Sequence, residues 1–259
     1  MTLKILITGG SGTIGTKLLT FLQKNGKEVI VWDRTTTSID DYWQMESFIV
    51  NHNVDAFIHL AAITSFDEEK RKLSWQVNYD WPSELAWICK KHHIKFIFIS
   101  SNMVFSVGNN GPYFPDSVAD ETQGYGFEKR KAEEKVIAQN PDSVILRLGW
   151  QIADQGDNSM LTFLDSEMNT KGEIRASHLW LPSCSFVDDT TDILNQSIHF
   201  PKGIYHMNSN TNLTFFEIVS ALKSFYNKDW NIVQTEDIIG DQRMIDTRIQ
   251  INPLDEKFN

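Results

Sequence analysis

The first fifteen residues constrain the fold more than any other part of the chain. Residues 4–8 (KILIT) are apolar and rich in β-branched side chains, as expected for a strand buried on both faces. Gly9, Gly12 and Gly15 follow at once, and apolar residues at helical spacing then continue as far as Leu22. The sequence therefore predicts a glycine-rich turn between a buried strand and a helix, an arrangement that can hold a pyrophosphate.

Such a turn is suited to the dinucleotides NAD and NADP. The first N–H groups of the helix and the positive end of its dipole face the phosphates, and glycine lets them approach the backbone closely. We expect the turn to bind the cofactor through Gly9, Gly12, Thr13, Ile14 and Gly15.

The end of the next predicted strand bears on the choice between NAD and NADP. Residues 28–32 read as a strand that ends in Asp33 and Arg34. An acidic residue at this distance from the glycine turn accepts hydrogen bonds from ribose hydroxyls and favours NAD, whereas an arginine can bind the 2′-phosphate of NADP. Because the two residues point to opposite cofactors, the preference stays open.

Strand-like and helix-like segments alternate as far as about residue 149. This alternation predicts an α/β fold with a doubly wound parallel sheet of the Rossmann type. We expect residues 1–150 to form the dinucleotide-binding domain and residues 151–259 a smaller C-terminal substrate-binding lobe, interleaved with the first. The predicted strands are 28–32, 55–60, 96–99, 143–148 and 203–207, and the predicted helices are 42–52, 75–91, 125–139, 160–168, 188–199 and one that begins at Thr214.

Ligands of such sheets bind beyond the carboxyl ends of the strands. Besides the glycine turn, the pairs Ala61-Ala62, Ser100-Ser101 and Gly149-Trp150 directly follow predicted strands. We expect all four segments to gather along one edge of the sheet, where Ala61 and Ala62 would contact the cofactor.

Tyr125 and Lys129 stand four residues apart in a segment, GYGFEKRKAEEKV, that reads as a helix. Side chains at this spacing share one face, so their ends can converge. A neighbouring cation favours the phenolate, so we expect Lys129 to lower the pKa of Tyr125 from about 10 toward neutrality. Downstream of a dinucleotide motif, the pair indicates the acid–base group of a redox enzyme.

The net charge and the number of cysteines limit the classes of partner and the cellular compartment that we expect. The net charge of −10 argues against nucleic acid or an anionic membrane surface as the main partner. Two cysteines, Cys89 and Cys184, are too few for a disulfide framework. The N-terminal apolar run breaks at Gly9, and no apolar stretch approaches the ~20 residues that span a bilayer. We expect a soluble, cytoplasmic protein and predict no metal site.

The motifs together resemble those of the extended short-chain dehydrogenase/reductases, and among these the dTDP-4-dehydrorhamnose reductases. The resemblance covers nearly the whole chain and is firmest over residues 3–150. The matching segments are TGGSGTIG at 8–15, HLAA at 59–62, AAITSFD at 61–67, FISSNMVF at 98–105, Pro112-Tyr113, YGFEK at 125–129 and LRLGW at 146–150.

The resemblance implies a reductase that transfers a hydride from NADPH or NADH to the keto group of a nucleotide-linked 4-keto-6-deoxy sugar. It implies that Tyr125 gives a proton to the carbonyl oxygen, that Lys129 holds the nicotinamide ribose and that Ser101 polarises the carbonyl. Asn78 would support the site, and a homodimer is implied as well. The implied substrate contacts are Thr64, Asn102, Met103 and Trp150.

Three positions depart from the pattern of these reductases. Thr-Asp-Tyr commonly follows their fourth strand, where this chain has Ser101, Asn102 and Met103. Serine keeps the hydroxyl, but the carboxylate and the phenol are lost. Glu128 replaces the serine of YxxSK and lies about 100° from Lys129 around the helix. The sugar and the nucleotide therefore stay open.

Two other functions are compatible with the motifs. One is a related epimerase or dehydratase that uses the cofactor only transiently, although Asn102 stands where dehydratases often need a carboxylic acid. The other is a non-catalytic NADP-binding regulator, since the regulatory subunit of methionine adenosyltransferase has a segment like residues 99–102 (ISSN).

Overall fold

The computed structural model describes residues 2–64, 70–106 and 111–258. They form two compact units. The first contains the described residues within 1–106, 118–147 and 191–205, and the second contains those within 107–117, 148–190 and 206–259.

A six-stranded sheet is the centre of the first unit. Its spatial order is β10-β5-β4-β3-β1-β2, and the pairs β1–β2, β1–β3 and β3–β4 are parallel. The chain thus winds outward from β1 in both directions, which confirms the predicted doubly wound sheet of the Rossmann type. The strands are β1 (Lys4–Thr8), β2 (Glu28–Val31), β3 (Ala56–His59), β4 (Lys95–Ser101), β5 (Val144–Leu148) and β10 (Gly203–Met207).

Helices connect these strands, and several begin or end where the sequence predicts. The helix predicted at 42–52 is confirmed, and its first turn is capped by Asp41, whose carboxylate accepts from the N–H of Gln44. The helices of this part of the chain are α1 (Thr13–Lys24), α2 (Tyr42–His52), α3 (Arg71–Trp75), α4 (Trp81–Lys91), α5 (Gly124–Gln139) and α7 (Val187–Ser197).

The helix predicted at 75–91 differs from the structure in two ways. It begins at Arg71, and a π-helical turn, Gln76–Asp80, separates α3 from α4. Pro82 has no N–H to donate four residues back, and the N–H of Trp81 instead donates to the carbonyl of Gln76. The wider turn carries Asn78, which is fully buried.

A large apolar cluster in the core of the first unit joins the sheet to α2, α4 and α5. Aromatic rings fill its centre, where Trp32 packs edge-on against Trp81 at 5.6 Å and Phe57 against Phe96 at 5.7 Å. Other members, all buried, are Leu6, Met45, Ile49, Leu85, Ile88, Val136 and Ile145.

The second unit has three two-stranded parallel ladders, β6–β9, β7–β11 and β8–β12, and its own apolar cluster. The predicted capping box is confirmed, because Thr214 and Glu217 satisfy each other's backbone N–H groups at the start of α8. The elements are β6 (Trp150–Ile152), α6 (Met160–Lys171), β7 (Ile174–Ser177), β8 (Trp180–Leu181), β9 (Cys184–Phe186), α8 (Phe215–Phe225), β11 (Ile232–Thr235) and β12 (Gly240–Asp241).

Over the described ranges, no helix has the length and apolar character needed to cross a membrane. Cys89 and Cys184 are both buried free thiols. The same residues include no group of three or more histidine, cysteine, aspartate or glutamate side chains arranged to hold a metal ion.

Candidate active site

The glycine turn after β1 is closed against its neighbours so tightly that side chains cannot fit. Gly9 has φ +69°, and a Cβ there would lie 2.9 Å from the backbone nitrogen of Ala61. A Cβ on Gly15 would lie 2.1 Å from the carbonyl oxygen of Gly9. The turn therefore needs glycine at both positions, and it lies directly on the segment that follows β3.

Helix α1 begins immediately after this turn. Gly12 is its N-cap, and Thr13, Ile14 and Gly15 are its first three residues. Gly12 has no side chain to accept from the first N–H groups, and the first turn carries no acidic residue. A glycine cradle at the uncompensated positive end of a helix fits the pyrophosphate of a dinucleotide.

The threonine at the end of β1 fixes the segment after β3. The hydroxyl oxygen of Thr8 accepts from the N–H groups of Leu60 and Ala61 at 3.1 and 3.2 Å, so its own proton is directed to Nδ1 of His59 at 3.0 Å. Burial holds the pKa of His59 well below its usual range, and the charge of Lys129 acts in the same direction.

Asn78 holds the next part of the same segment. Its side-chain oxygen accepts from the N–H of Ile63 at 2.9 Å, and its amide donates to the carbonyl of Ile63 at 2.8 Å. Ala62 and Thr64, on either side, are exposed. Ser65 to Asp67 of the AAITSFD motif lie outside the described residues.

Asp33 and Arg34 are exposed beyond the end of β2. The carboxylate of Asp33 accepts from the hydroxyl of Thr35 at 2.7 Å and from its N–H at 2.8 Å, both through Oδ1. These bonds hold the pKa of Asp33 below its usual value. The carboxylate is thus ionised and held in place, and the end of β2 lies close to the glycine turn, since a Cβ on Gly10 would lie 2.7 Å from Cγ1 of Val31.

Ser101 is the last residue of β4 and caps the short 3₁₀ turn Asn102–Val104. Its hydroxyl oxygen accepts from the N–H of Met103 at 3.1 Å, and its hydroxyl donates only a long hydrogen bond, of 3.4 Å, to Asn102 Oδ1. The hydroxyl proton of Ser101 can therefore be given to an external acceptor. Asn102 is partly buried, and Met103 is 43% exposed.

Gly126 brings α5 into direct contact with this turn. A Cβ at position 126 would lie 1.9 Å from the carbonyl oxygen of Met103. The backbones of α5 and of the turn after β4 thus touch, with Tyr125 and Ser101 next to the point of contact. We did not predict a role for Gly126, although its place inside the Tyr125-to-Lys129 motif is a signal that could have indicated it.

Lys129 and Tyr125 occupy one side of α5, as their spacing predicts. Lys129 is 1% exposed, and its Nζ lies 4.2 Å from the ring centroid of Phe98 and 6.0 Å from that of Tyr125. Burial lowers the pKa of Lys129 to about 7, although the carboxylates of Glu133 and Glu128 act in the opposite direction.

The expectation that Lys129 lowers the pKa of Tyr125 is wrong for this structure. Burial raises the pKa of Tyr125 above its usual value, and the carboxylate of Glu128 acts in the same direction. Removal of water and a neighbouring carboxylate both disfavour the phenolate. The phenol is therefore protonated at neutral pH, the form that can donate a proton.

The buried ammonium of Lys129 should make stability depend on pH. The unfolded lysine, with a pKa of about 10.4, binds more protons than the folded one between pH 7 and that value, so folding is favoured as pH rises through this window. Relative to Lys129→Met, the wild type should gain up to about 1.4 kcal/mol per pH unit there. Urea unfolding of both proteins at several pH values measures this difference, and parallel curves would contradict it.

Trp150 belongs to the second unit, in β6. Its indole stacks on Phe215 at 6.0 Å and meets Phe163 edge-on at 5.2 Å. Its implied contact with the substrate stays a prediction.

Comparison with known proteins decides the family. Residues 3–238 match the model of the RmlD substrate binding domain. The chain belongs to this family. As a member of the RmlD family it is an NAD(P)-dependent oxidoreductase of the extended short-chain dehydrogenase/reductase type, which confirms the resemblance predicted from its motifs.

The individual proteins and solved structures that this chain matches have low sequence identity to it, but the matches cover most of its length. The spore coat polysaccharide biosynthesis protein SpsK of Bacillus subtilis is 27% identical over 85% of this chain and 78% of its own length. A dTDP-4-keto-6-deoxy-D-glucose reductase of Streptomyces niveus is 24% identical over 84% and 77%. The crystal structure of dTDP-4-dehydrorhamnose reductase from Bacillus anthracis in complex with NADP has a TM-score of 0.87, with 21% identity over 100% and 98% of the two chains.

Proposed function

We propose that this protein is an NAD(P)H-dependent reductase that transfers a hydride to the keto group of a nucleotide-linked 4-keto-6-deoxy sugar. The observation that carries the proposal is the backbone contact at Gly126, which sets Tyr125 and Ser101 on touching elements with Lys129 one helical turn away. The names of the reductases in Streptomyces niveus and Bacillus anthracis support the same substrate class.

Each of the three side chains has a property suited to its role. Tyr125, protonated and partly exposed, gives its proton to the oxygen that becomes a hydroxyl. Ser101, whose hydroxyl donates to Asn102 Oδ1 only at the long distance of 3.4 Å, turns its proton to the carbonyl oxygen and stabilises the charge that develops there. Lys129 would hold the nicotinamide ribose from its buried position, where its Nζ lies 6.0 Å from the ring centroid of Tyr125.

The cofactor, NADP or NAD, would be held by the glycine turn, the start of α1, Asp33 or Arg34, and the Ala61-Ala62 segment. When bound, it supplies the hydride. The relative from Bacillus anthracis was solved with NADP, while the oriented carboxylate of Asp33 favours NAD, so both cofactors remain candidates.

Replacing Asp33 with alanine should weaken the binding of NADH more than that of NADPH. The substitution removes an acceptor for the ribose hydroxyls, and Arg34 is retained for a 2′-phosphate. A loss of about tenfold for NADH, with less than about twofold for NADPH, is expected from one charge-assisted hydrogen bond. Fluorescence titration of both cofactors measures this, and equal losses would mean that Asp33 does not read the 2′ position.

The proposed substrate contacts include residues at which this chain differs from the reductases that it resembles. Thr64, Asn102 and Met103 lie next to the proposed cofactor segment or to Ser101, and Trp150 is proposed as a further contact. Asn102 and Met103 offer an amide and a flexible thioether. We expect them to set which sugar is accepted.

A substrate panel tests the proposal. Purified protein is mixed with NADPH or NADH and with dTDP-, UDP- or GDP-linked 4-keto-6-deoxy sugars, and the absorbance of the reduced nicotinamide is followed. Oxidation with one member names the substrate and the cofactor. Dinucleotide binding without oxidation by any member would contradict the proposal and favour an epimerase or a regulator.

A further inference from the structure

Glu128 is a buried carboxylate in a position where the resembling reductases have serine. It lies on α5 between Tyr125 and Lys129 and is 8% exposed. Its Oε2 accepts from the hydroxyl of Ser74 at 2.7 Å and from the side-chain amide of Asn78 at 2.6 Å. The carboxylate thus faces α3 and the π-helical turn.

The partners of Glu128 have contacts of their own. Asn78 holds both the N–H and the carbonyl of Ile63. Ser74 lies 3.1 Å from the amide nitrogen of Asn78 and is itself buried. A continuous series of hydrogen bonds therefore runs from α5, through Glu128 and Asn78, to the segment Ala61–Thr64.

The free-energy cost of burying this carboxylate indicates that it has a specific role. Burying a charged group is costly unless several donors satisfy it, and here two donors converge on one oxygen. A serine at position 128 is two atoms shorter and would not span the same gap. The longer side chain thus adds a link between two parts of the site.

We propose that Glu128 is a positioning residue that ties α5, with Tyr125 and Lys129, to the segment Ala61–Thr64 through Asn78 and Ser74. The proposal rests on the proposed function for the roles of Tyr125 and of that segment. Glu128 would act through Ser74 and Asn78, the donors that its Oε2 binds. Its effect is to keep the proton donor and the cofactor segment in register.

Backbone hydrogen exchange tests the link without any turnover. In Glu128→Ala, the amide of Ile63 should exchange about tenfold faster than in wild type, because Asn78 loses the acceptor that orients it. Glu128→Gln keeps an oxygen that accepts from Ser74 and Asn78, so exchange should stay within about twofold of wild type. Glu134→Gln, an exposed residue on the same helix, is the matched control and should change nothing.

The affinity for the cofactor gives the second readout. The Kd for the reduced dinucleotide should rise about five- to twentyfold in Glu128→Ala and return to within about twofold in Glu128→Gln. If Glu128→Ala does not fold, Ser74→Ala is used in its place. Because Glu128 then loses one of its two hydrogen-bond donors, we expect the exchange rate of the Ile63 amide to rise about threefold.

Two results would overturn the proposal. One is unchanged exchange at Ile63 in Glu128→Ala or Ser74→Ala, and the other is a Glu128→Gln variant as impaired as the alanine variant. Because exchange and dinucleotide binding need no sugar, a failed substrate panel leaves this test intact. A failure of the link likewise leaves the panel result standing.

Discussion

Replacing Tyr125 with phenylalanine is expected to lower turnover at least ~100-fold and to leave dinucleotide affinity nearly unchanged. The substitution removes the proton donor and keeps the ring that packs in the site. The pKa of Tyr125 is raised, so the wild-type phenol carries its proton across the neutral range and the lost group is an acid. The measurement is kcat with the accepted sugar, beside a fluorescence titration of the cofactor.

Tyr79→Phe is the matched control for that variant. Tyr79 lies in the same unit, where its ring packs against Trp75 at 4.4 Å, so the same atom is removed away from the proposed donor. We expect its turnover to stay within about twofold of wild type, because phenylalanine keeps the partly buried ring and its packing against Trp75. Equal turnover of Tyr125→Phe and wild type would remove Tyr125 from the mechanism.

Replacing Gly126 with alanine should lower turnover about as much as Tyr125→Phe does, but through a steric clash. The new methyl group would lie 1.9 Å from the carbonyl oxygen of Met103, which is backbone and cannot rotate away. Helix α5 must therefore move off the turn after β4. We expect a loss of about 1–3 kcal/mol in the free energy of unfolding. We also expect a fall in kcat of about 100-fold, because a shift of about 1 Å separates Tyr125 from Ser101.

Thermal unfolding and kcat of Gly126→Ala are compared with those of Ala138→Ser. Ala138 is exposed on the same helix, so this variant adds one atom without a clash. Wild-type kcat in a folded Gly126→Ala protein would show that the contact does not set the position of Tyr125.

Local sequence signals predicted most of the fold. The helix at 42–52 and the strand at 203–207 have the predicted bounds, because capping and apolar runs are properties of neighbouring residues. The glycine turn was equally predictable, since its strand, glycines and helix follow one another in the chain. The helix predicted from Trp75 begins earlier, at Arg71, where no capping residue marks its start.

Contacts between distant segments explain what the sequence could not provide. The clash at Gly126 depends on how closely α5 approaches β4, and the partners of Glu128 lie about fifty residues away in the chain. The predicted direction of the Tyr125 pKa was wrong because it considered the ammonium of Lys129 alone. Burial of the phenol, which is a property of the packed protein, raises the pKa instead.

The most direct measurement is the transfer of deuterium from reduced cofactor to sugar. The protein is incubated with the accepted 4-keto-6-deoxy sugar nucleotide and with NAD(P)H deuterated at the transferable position of the nicotinamide, and the product is analysed by mass spectrometry. If the protein is a hydride-transferring reductase, the reduced sugar carries one deuterium, and Tyr125→Phe forms this product at least ~100-fold more slowly. A converted sugar without deuterium, or no conversion by a protein that binds the dinucleotide, would contradict the proposed reaction.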